Sequence, residues 1–592
     1  MIIDRREFLK GSLALAGGLM LPAHLVSCNG DEDPMYDIVV YGGTSGGIIS
    51  AITAARKGRS VILIEPSNHL GGLTTGGLGR TDIGIEGAIG GLSLEYYSRI
   101  RDYYRNENPW VHEDRMEYME KAGSLFPPDS DGMFGFEPHA ARRVYEQMLD
   151  EAGVPVVMGD RLILGDRGVN KNRNKITSIE TEAGNVYRGQ IFIDATYEGD
   201  LLAMAGVSYH VGREANDTYD ETLNGVQTVR THNHIFPGFV DPYIEPGNPQ
   251  SGVLPEVHDG DPGEEFSEDH RVQAYCFRMC LSDVPENQIP FEQPYGYDEL
   301  QYELLFRNYE SGETRIPWLP GPMPNRKTDT NNRWGFSTNQ IGINYEYPDG
   351  DYATRERIVE GQEHYQRGLM WTLANHPRVP QEIREEVSRW GLAADEFIEN
   401  NNWPTQIYVR EARRMIGEYV MTENDCRRLR KADDPVGLGS YQMDSHNVQR
   451  YITEDGCVQN EGNIEVSPGG PYRISYRSLL PKRSECSNLL VCCNGVSSSH
   501  IAFGSIRMEP VFMVLGQSAA TAAALALDKG TELHDLDYQT LREQLTADGQ
   551  RLDVDTEQYP PLLPDEEPLE QRLRHNSEPV IEDGCMVMRS SL

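Results

Sequence analysis

Basic side chains are scarce: 54 Lys and Arg face 92 Asp and Glu in 592 residues, a formal charge of −38. Such a field repels nucleic-acid phosphates, and no long basic cluster overcomes it, so no nucleic-acid partner is expected. A polyanionic substrate is disfavoured as well unless a local basic pocket serves it; the plain reading of the charge is a solubilising surface. Long apolar runs are missing near the N-terminus, where the most apolar segment is too short and glycine-rich for a membrane span. Cysteine is sparse, with nine residues. Cys276-x3-Cys280 and the adjacent Cys492-Cys493 have no histidine at ligand spacing, which favours buried or bridged thiols over zinc; no metal site is expected. No repeat of solenoid period is present. What remains, with 38% hydrophobic residues, six Trp and thirty Tyr, is globular composition with core volume for two or more domains.

The N-terminus reads as an address. MIIDRREFLKGSLALAGGLMLPAHLVSC places Arg5-Arg6 before Phe8-Leu9-Lys10 and a modestly apolar stretch, and resembles a twin-arginine export signal. Leu25-Val26-Ser27-Cys28 resembles a bacterial lipobox, with Cys28 as the lipidated residue and an acidic tether after it. The expectation is an extracytoplasmic lipoprotein of the periplasm or outer membrane, touching membrane only through Cys28. Plain cleavage and secretion, or an uncleaved anchor, are the alternatives.

Tyr36–Glu65 organises the rest. Ile38–Val40 form a short apolar run without helical period, as in a buried parallel strand. Gly42, Gly43, Gly46 and Gly47 turn the chain, Ile48, Ile52 and Ala55 recur at helical spacing, and Val61–Ile64 form a second strand ending at Glu65. Strand, glycine turn, helix, strand and terminal acid make up a dinucleotide fingerprint: the glycines admit a pyrophosphate, the helix N-terminus stabilises its charge, and Glu65 meets the adenosine ribose. The usual middle glycine is replaced by Thr44.

After Glu65 a second glycine-dense stretch holds Gly71, Gly72, Gly76, Gly77 and Gly79, backbone able to lie along a pyrophosphate and under a flat ring. A helix at GLSLEYYSRIRDYYR, another at AARRVYEQMLDEAG stopped by Gly153, and short strands returning at Ile191–Ile193 follow. The expected class is α/β: a Rossmann-like nucleotide-binding domain with a β-meander and a large inserted mixed α+β substrate domain. The map is 1–28 signal, 29–210 first nucleotide-binding part, 211–430 substrate or cap domain, 431–545 second nucleotide-binding part and 546–592 tail. Within the insert, VQAYCFRMCL reads as strand, and RERIVEGQEHYQRGLMWTLANH, PQEIREEVSRWG and YVREARRMIGEYVM read as helices. Leu489–Val491 reads as a closing strand, and VFMVLGQSAATAAALALDKG as a helix of small residues.

The stretches VVYGGTSGGI, HLGGLTTGGLGRTD, FEPH, DATYEGDLLAMAGV, VQAYCFRMCL, WPTQIYVREARRMIGEYVMTEND, GSYQMDSHNVQRY and SSHIAFGSIRMEPVFMVLGQSAATAAA together resemble the bacterial FAD-dependent oxidoreductases of the glutathione-reductase-type flavin fold. The resemblance is to a group sometimes labelled xanthan lyase, found among polysaccharide-use functions, and it extends from about Tyr36 to Ala526. It implies FAD, with Gly42, Gly43, Thr44, Gly47 and Glu65 around the ADP half. It places Gly71, Gly72, Thr75, Gly76 and Gly77 near the pyrophosphate and isoalloxazine, and Asp194, Ala195, Thr196 and Gly199 on the adenine side. The helix beginning near Pro510 would aim its N-terminus at the flavin edge where reduction develops negative charge, with Arg507, Gly516 and Gln517 as further cofactor contacts.

Alcohol oxidation by a flavin needs positioning and a proton acceptor. His446 in Asp444-Ser445-His446-Asn447 is the first candidate, with Asp444 to orient it, and His500 is the second; each is otherwise a hydrogen-bonded structural histidine. Arg410 and Arg414, four apart on an expected helix with Arg413, Glu411 and Glu418, would share a face that binds a carboxylate or sugar oxygens, or else form an internal salt-bridge lattice. His69 before the glycine run is a candidate for covalent flavin attachment. The leading expectation is oxidation of a CH–OH group in a small or oligosaccharide substrate, with an electron acceptor that the sequence does not name. Redox-neutral glycan elimination and non-catalytic glycan binding are the rivals.

Overall fold

The computed structural model describes residues 34–106, 108–122, 130–564, 579–582 and 585–588; the expected signal at 1–28, with Cys28, lies outside them. The opening unit forms as its pattern predicts. Strand β1 (Met35–Tyr41) leads through the glycine turn into helix α1 (Ser45–Arg56), and β2 (Val61–Glu65) follows. The second glycine stretch makes the short helix α2 (Gly72–Gly76), and α3 is Gly91–Tyr104. Helix α4 (Pro138–Ala152) starts with proline in its first turn and stops at Gly153, whose φ of 65° is the left-handed conformation that glycine supplies without strain. Strands β3 (Val156–Met158), β4 (Val169–Asn172), β5 (Lys175–Glu180) and β6 (Val186–Asp194) complete this half.

In the insert, β7 (Cys280–Ser282), β8 (Gln288–Ile289), β9 (Trp318–Met323) and β10 (Lys327–Asn332) precede the long helix α5 (Tyr352–Asn375). With β11 (Gly391–Ala393) they form an antiparallel sheet in the order β9-β10-β7-β11-β8. Only Cys280–Leu281 of the strand-like stretch VQAYCFRMCL enters that ladder. Then come β12 (Met443–Ser445), β13 (Ile464–Val466) and β14 (Leu489–Val491), followed by α6 (His500–Ile506) and α7 (Glu509–Lys529).

The main sheet runs β3-β2-β1-β6-β5-β4, with β14 added to β6. Its nucleotide-binding part is parallel, and β4 and β5 are the antiparallel meander. Register decides what this sheet presents: Tyr41 lies beside both Ile64 and Asp194, and Asp194 beside Val491. Four strands therefore end together, and the loops Gly42–Thr44, Glu65–Leu70, Ala195–Gly199 and Cys492–Ser499 share one carboxyl edge, the side on which open parallel sheets bind ligands. The buried apolar faces of β1, β2 and β6 hold that edge rigid.

One expectation is corrected. Residues 406–413 carry no helix, and Arg414–Met415 is a two-residue strand. Arg410 and Arg414 share no helical face: each is fully buried with its own partners in different loops, which an extended segment threading between the insert and the main sheet can serve and a helix cannot. Among the described residues six cysteines, including Cys276, Cys280, Cys492 and Cys493, are free and buried, whereas Cys457 is disulfide-bonded.

Helices α1 and α7 cross where both are backbone. A Cβ on Gly516 would lie 2.2 Å from the Gly46 carbonyl oxygen, closer than any real contact. Gly516→Ala is therefore expected to cost about 3 kcal/mol by forcing the helices apart. Chemical denaturation checks it; a variant as stable as the parent removes this crossing from the account.

Candidate functional site

The carboxyl edge is knit by side-chain-to-backbone bonds. Glu65, 6% exposed, accepts from the Gly43 amide at 2.6 Å and the Ser67 amide at 2.7 Å; burial pushes its carboxyl up to about 7 against those donors. Gly42 has φ of 107°, and a Cβ there would meet the Ala195 backbone at 2.6 Å, while one on Gly47 would meet the Gly42 carbonyl at 1.8 Å. Thr44 caps α1: its Oγ1 accepts from the Gly47 amide at 3.3 Å and donates to the Ala195 carbonyl at 2.7 Å. The side chain at the missing-glycine position is thus turned into the protein. Gly71 donates its amide to Gly43 O, joining the two glycine stretches. Thr75 Oγ1 donates to Leu70 O at 2.6 Å and lies 2.8 Å from His69 Nε2, on a ring whose pKa burial lowers to about 4.

Asp194 accepts from the amides of Thr196 and Leu202 and from Thr196 Oγ1, and Gly199 in the left-handed region starts the next short helix. Asp200 then accepts from Arg355 at 2.7 and 2.8 Å and from Arg413 at 2.7 Å, clamping the insert to the sheet. A cleft of about 560 Å³ opens directly after Glu65, between Pro66–Asn68, Gly159 and the Tyr352 end of α5.

These residues fit an adenine dinucleotide. Among the described residues the amides of Ser45 and Gly46, at the start of α1, have no acceptor, and the first turn carries no acid to repel a phosphate. Glu65 stands where a ribose hydroxyl is met, and the cleft beyond it is on the adenosine side. Glu509, the first residue of α7, accepts from Ser45 Oγ, Thr74 Oγ1 and Tyr197 OH, gathering both glycine stretches and the β6 loop at the N-terminus of that helix. Gly516 and Gln517 lie elsewhere: Gly516 packs on Gly46, and Gln517 Oε1 accepts from the Leu92 amide.

Beyond the second glycine stretch lies a narrow cavity of about 70 Å³. Its lining brings together Asp82, Arg278, Arg333, Tyr408, Asp444, His446 and Arg507, with Asn332, His234 and Glu465. His446 Nε2 lies 3.3 Å from Asp444 Oδ2, and Nδ1 lies 3.3 Å from Asn332 Nδ2. Burial, and then the Arg410 charge, lower the imidazole to about 3 against the pull of Asp444, so the ring is neutral. Burial opposes ionisation of Asp444, but His446, Arg507 and Arg410 hold it well below the usual carboxylate range. A carboxylate only accepts, so Nε2–H donates to Asp444 and Nδ1 keeps the lone pair. Arg507 donates to Asp444 Oδ2 and Tyr408 OH, each at 2.5 Å. Arg410 sits one layer back on Ala274 O, Asn332 Oδ1 and Asn339 Oδ1.

His500 is outside this lining. It is 2% exposed, with Nδ1 2.8 Å from Glu411 Oε2 and Nε2 2.9 Å from Ser445 Oγ, and so buttresses β12 behind His446. Sequence reasoning missed Asp82, Arg278, Asn332, Arg333 and Tyr408. Asp82 ends the quoted glycine stretch, and burial raises its carboxyl although Arg278 opposes this. Elsewhere Glu137, His139 and Glu396 converge at metal-like spacing, but Lys327 Nζ lies 2.7 to 2.8 Å from Glu137, Asp395 and Glu396 and supplies the cation itself.

A family model described as FAD dependent oxidoreductase matches residues 37–545. No curated protein matches the sequence. Among solved structures, the flavin-dependent brominase Bmp2 aligns at 12% identity over 87% of this chain and 83% of its own, with a TM-score of 0.34. A geranylgeranyl bacteriochlorophyll reductase-like protein from Thermoplasma acidophilum aligns at 11% identity over 88% and 85%, with a TM-score of 0.32. For L-proline dehydrogenase from P. horikoshii the identity is 18%, over 30% of this chain and 58% of that one, with a TM-score of 0.21. Similarity this loose transfers no substrate.

Thr44→Val keeps the shape of residue 44 and removes its hydroxyl, leaving the buried Ala195 carbonyl and Gly47 amide unpaired. The expected loss is about 2 kcal/mol, with a matching fall in flavin retained through gel filtration. Unchanged melting of the apoprotein would contradict the capping role.

Proposed function

The chain belongs to the FAD dependent oxidoreductase family, and from that premise we propose that it oxidises a CH–OH group of a carbohydrate-derived substrate in the polar cavity, outside the cytoplasm, as a lipoprotein anchored through Cys28. The observation that carries this reading is a neutral, carboxylate-oriented imidazole, His446, in a cavity whose wall is almost wholly polar. A hydroxyl-rich substrate suits such a wall, and the twin-arginine and lipobox patterns suit an enzyme that meets glycans outside the cell.

When bound, FAD supplies the two-electron acceptor. Gly42–Gly47 and Glu65 would hold its ADP half, and the glycine run from Gly71 to Gly77 would lie along its pyrophosphate and ring. The chain's own work is proton handling and orientation. His446 Nδ1 takes the hydroxyl proton as hydride leaves the carbon, exchanging its bond with Asn332 for one with the substrate. Asp444 holds Nε2–H, fixes the tautomer and stabilises the imidazolium that forms. Arg507 keeps Asp444 ionised, and Tyr408 holds Arg507 in place. The Glu411–His500–Ser445 chain keeps β12, and with it residue 446, in position.

His446→Gln is expected to slow anaerobic bleaching of the flavin by a reducing sugar or oligosaccharide substrate about 10²- to 10³-fold, with flavin content unchanged. The low His446 pKa fixes the pH profile. The base form persists as pH falls, so the wild-type rate stays level from about pH 8 to about pH 5 and drops only toward the His446 pKa of about 3. Stopped-flow absorbance measures both. A midpoint near the ordinary histidine value of about 6.5, or an undiminished rate in the variant, would sink this assignment.

A further inference from the structure

Of the arginines lining the cavity, Arg278 is paired with Asp329 and Arg507 with Asp444. Arg333 differs. It is half-buried, and among the described residues its guanidinium has no carboxylate or hydrogen-bond acceptor; its ring contact is with Trp334, 5.2 Å away. In a chain with such an excess of carboxylates, a cavity arginine without one is informative.

Its backbone is fixed although its donors are free. Arg333 follows the end of β10 and donates its amide to Pro317 O. Trp334 has φ of 71°, a conformation rare for a bulky residue and held only where the surroundings impose it. Arg315, itself paired with Glu313, stacks 3.4 Å from the Trp334 ring centroid and locks the indole. The preceding residue, Asn332, is the one that faces His446 Nδ1. The free cation is thus one residue along the chain from the group that touches the reacting position.

We propose that Arg333 forms a carboxylate subsite, so that the substrate is an acidic sugar, a hexuronate residue bound by its carboxylate while the hydroxyl to be oxidised faces His446. This rests on the reading of the cavity as a sugar-oxidising site. A guanidinium matches a carboxylate with two parallel N–H donors and needs no desolvated partner of its own. A single uncompensated positive charge suits a monoanion. The second charge of a phosphate would face Asp82, Asp444 and Glu465 across the same small cavity. The amides of Asn331, Asn332 and Gln442 in the lining are neutral and suit the hydroxyls of the ring.

The test is calorimetric binding to the FAD-loaded full chain, using D-glucuronate, D-galacturonate, D-mannuronate and their short oligomers, each against its methyl ester and its parent neutral sugar. At least one uronate is expected to bind about tenfold or more tightly than its ester. Arg333→Gln should remove most of that preference, Arg333→Lys should keep part of it, and thermal unfolding should show both variants folded. Esters and neutral sugars binding as tightly as their uronates to the wild type, no binding by any member, or a preference that survives Arg333→Gln would each overturn the subsite. The two readings separate in the same samples under anaerobic conditions. Uronate-selective binding without flavin bleaching keeps the subsite and refutes oxidation, whereas bleaching by neutral sugars alone keeps oxidation and refutes the subsite.

Discussion

Everything functional in this protein depends on one contact too close for a side chain. Helix α1, at the beginning of the nucleotide unit, crosses α7, near the far end of the chain, backbone against backbone, with the single Ser50 hydroxyl within hydrogen-bonding reach of the carbonyls of both Gly46 and Gly516. That crossing brings Glu509 to Ser45 and Thr74, and it carries Arg507, two residues earlier, into the cavity with Asp444 and Tyr408. The small-residue stripe on α7 is therefore the device that lets the last part of the sequence complete what the first part begins. Its apolar length would suffice for a membrane span, but 89% of its apolar window is buried within the protein.

Several buried charges are shared between segments. Asp200 is shared by Arg355 and Arg413, Glu411 by Arg414 and His500, and the carboxylates around Lys327 by one ammonium. Buried pairs of this kind recover little net stability over apolar packing, yet leaving one partner alone is costly. They act as fasteners of register between segments distant in sequence. Arg410, buried without a carboxylate, is satisfied instead by carbonyl and amide oxygens, whereas the half-buried Arg333 has no acceptor among the described residues.

The fold was legible wherever local pattern and tertiary role coincide. Ile38–Val40, Val61–Ile64 and Leu489–Val491 are apolar runs bounded by turns, and Gly153 ends its helix because the required φ is positive. The segment around Arg410 misled because arginines four apart imitate a helical face, while nothing local reveals that both are buried among separate loops. The site was legible by halves. His446 and Asp444 are neighbours in sequence and remain neighbours in space. Asp82 and the adjacent pair Asn332-Arg333 lie far in sequence from each other and from residues 444–446, and only the tertiary fold brings them together. His500 drew notice because it precedes the last long helix, but that position does not separate a residue that faces a cavity from one that props the wall behind it.

Thr44 has a consequence for the lifetime of the complex. Its hydroxyl ties the loop after β1 to the carbonyl of Ala195 after β6, and it lies 3.3 Å from Cys493 Sγ after β14. Three strand ends are thus stitched through one oxygen. A cradle fastened in this way does not open one loop at a time, so release of the nucleotide requires a concerted loosening of the whole sheet edge. The expected result is a cofactor that exchanges slowly and is renewed largely with the protein itself.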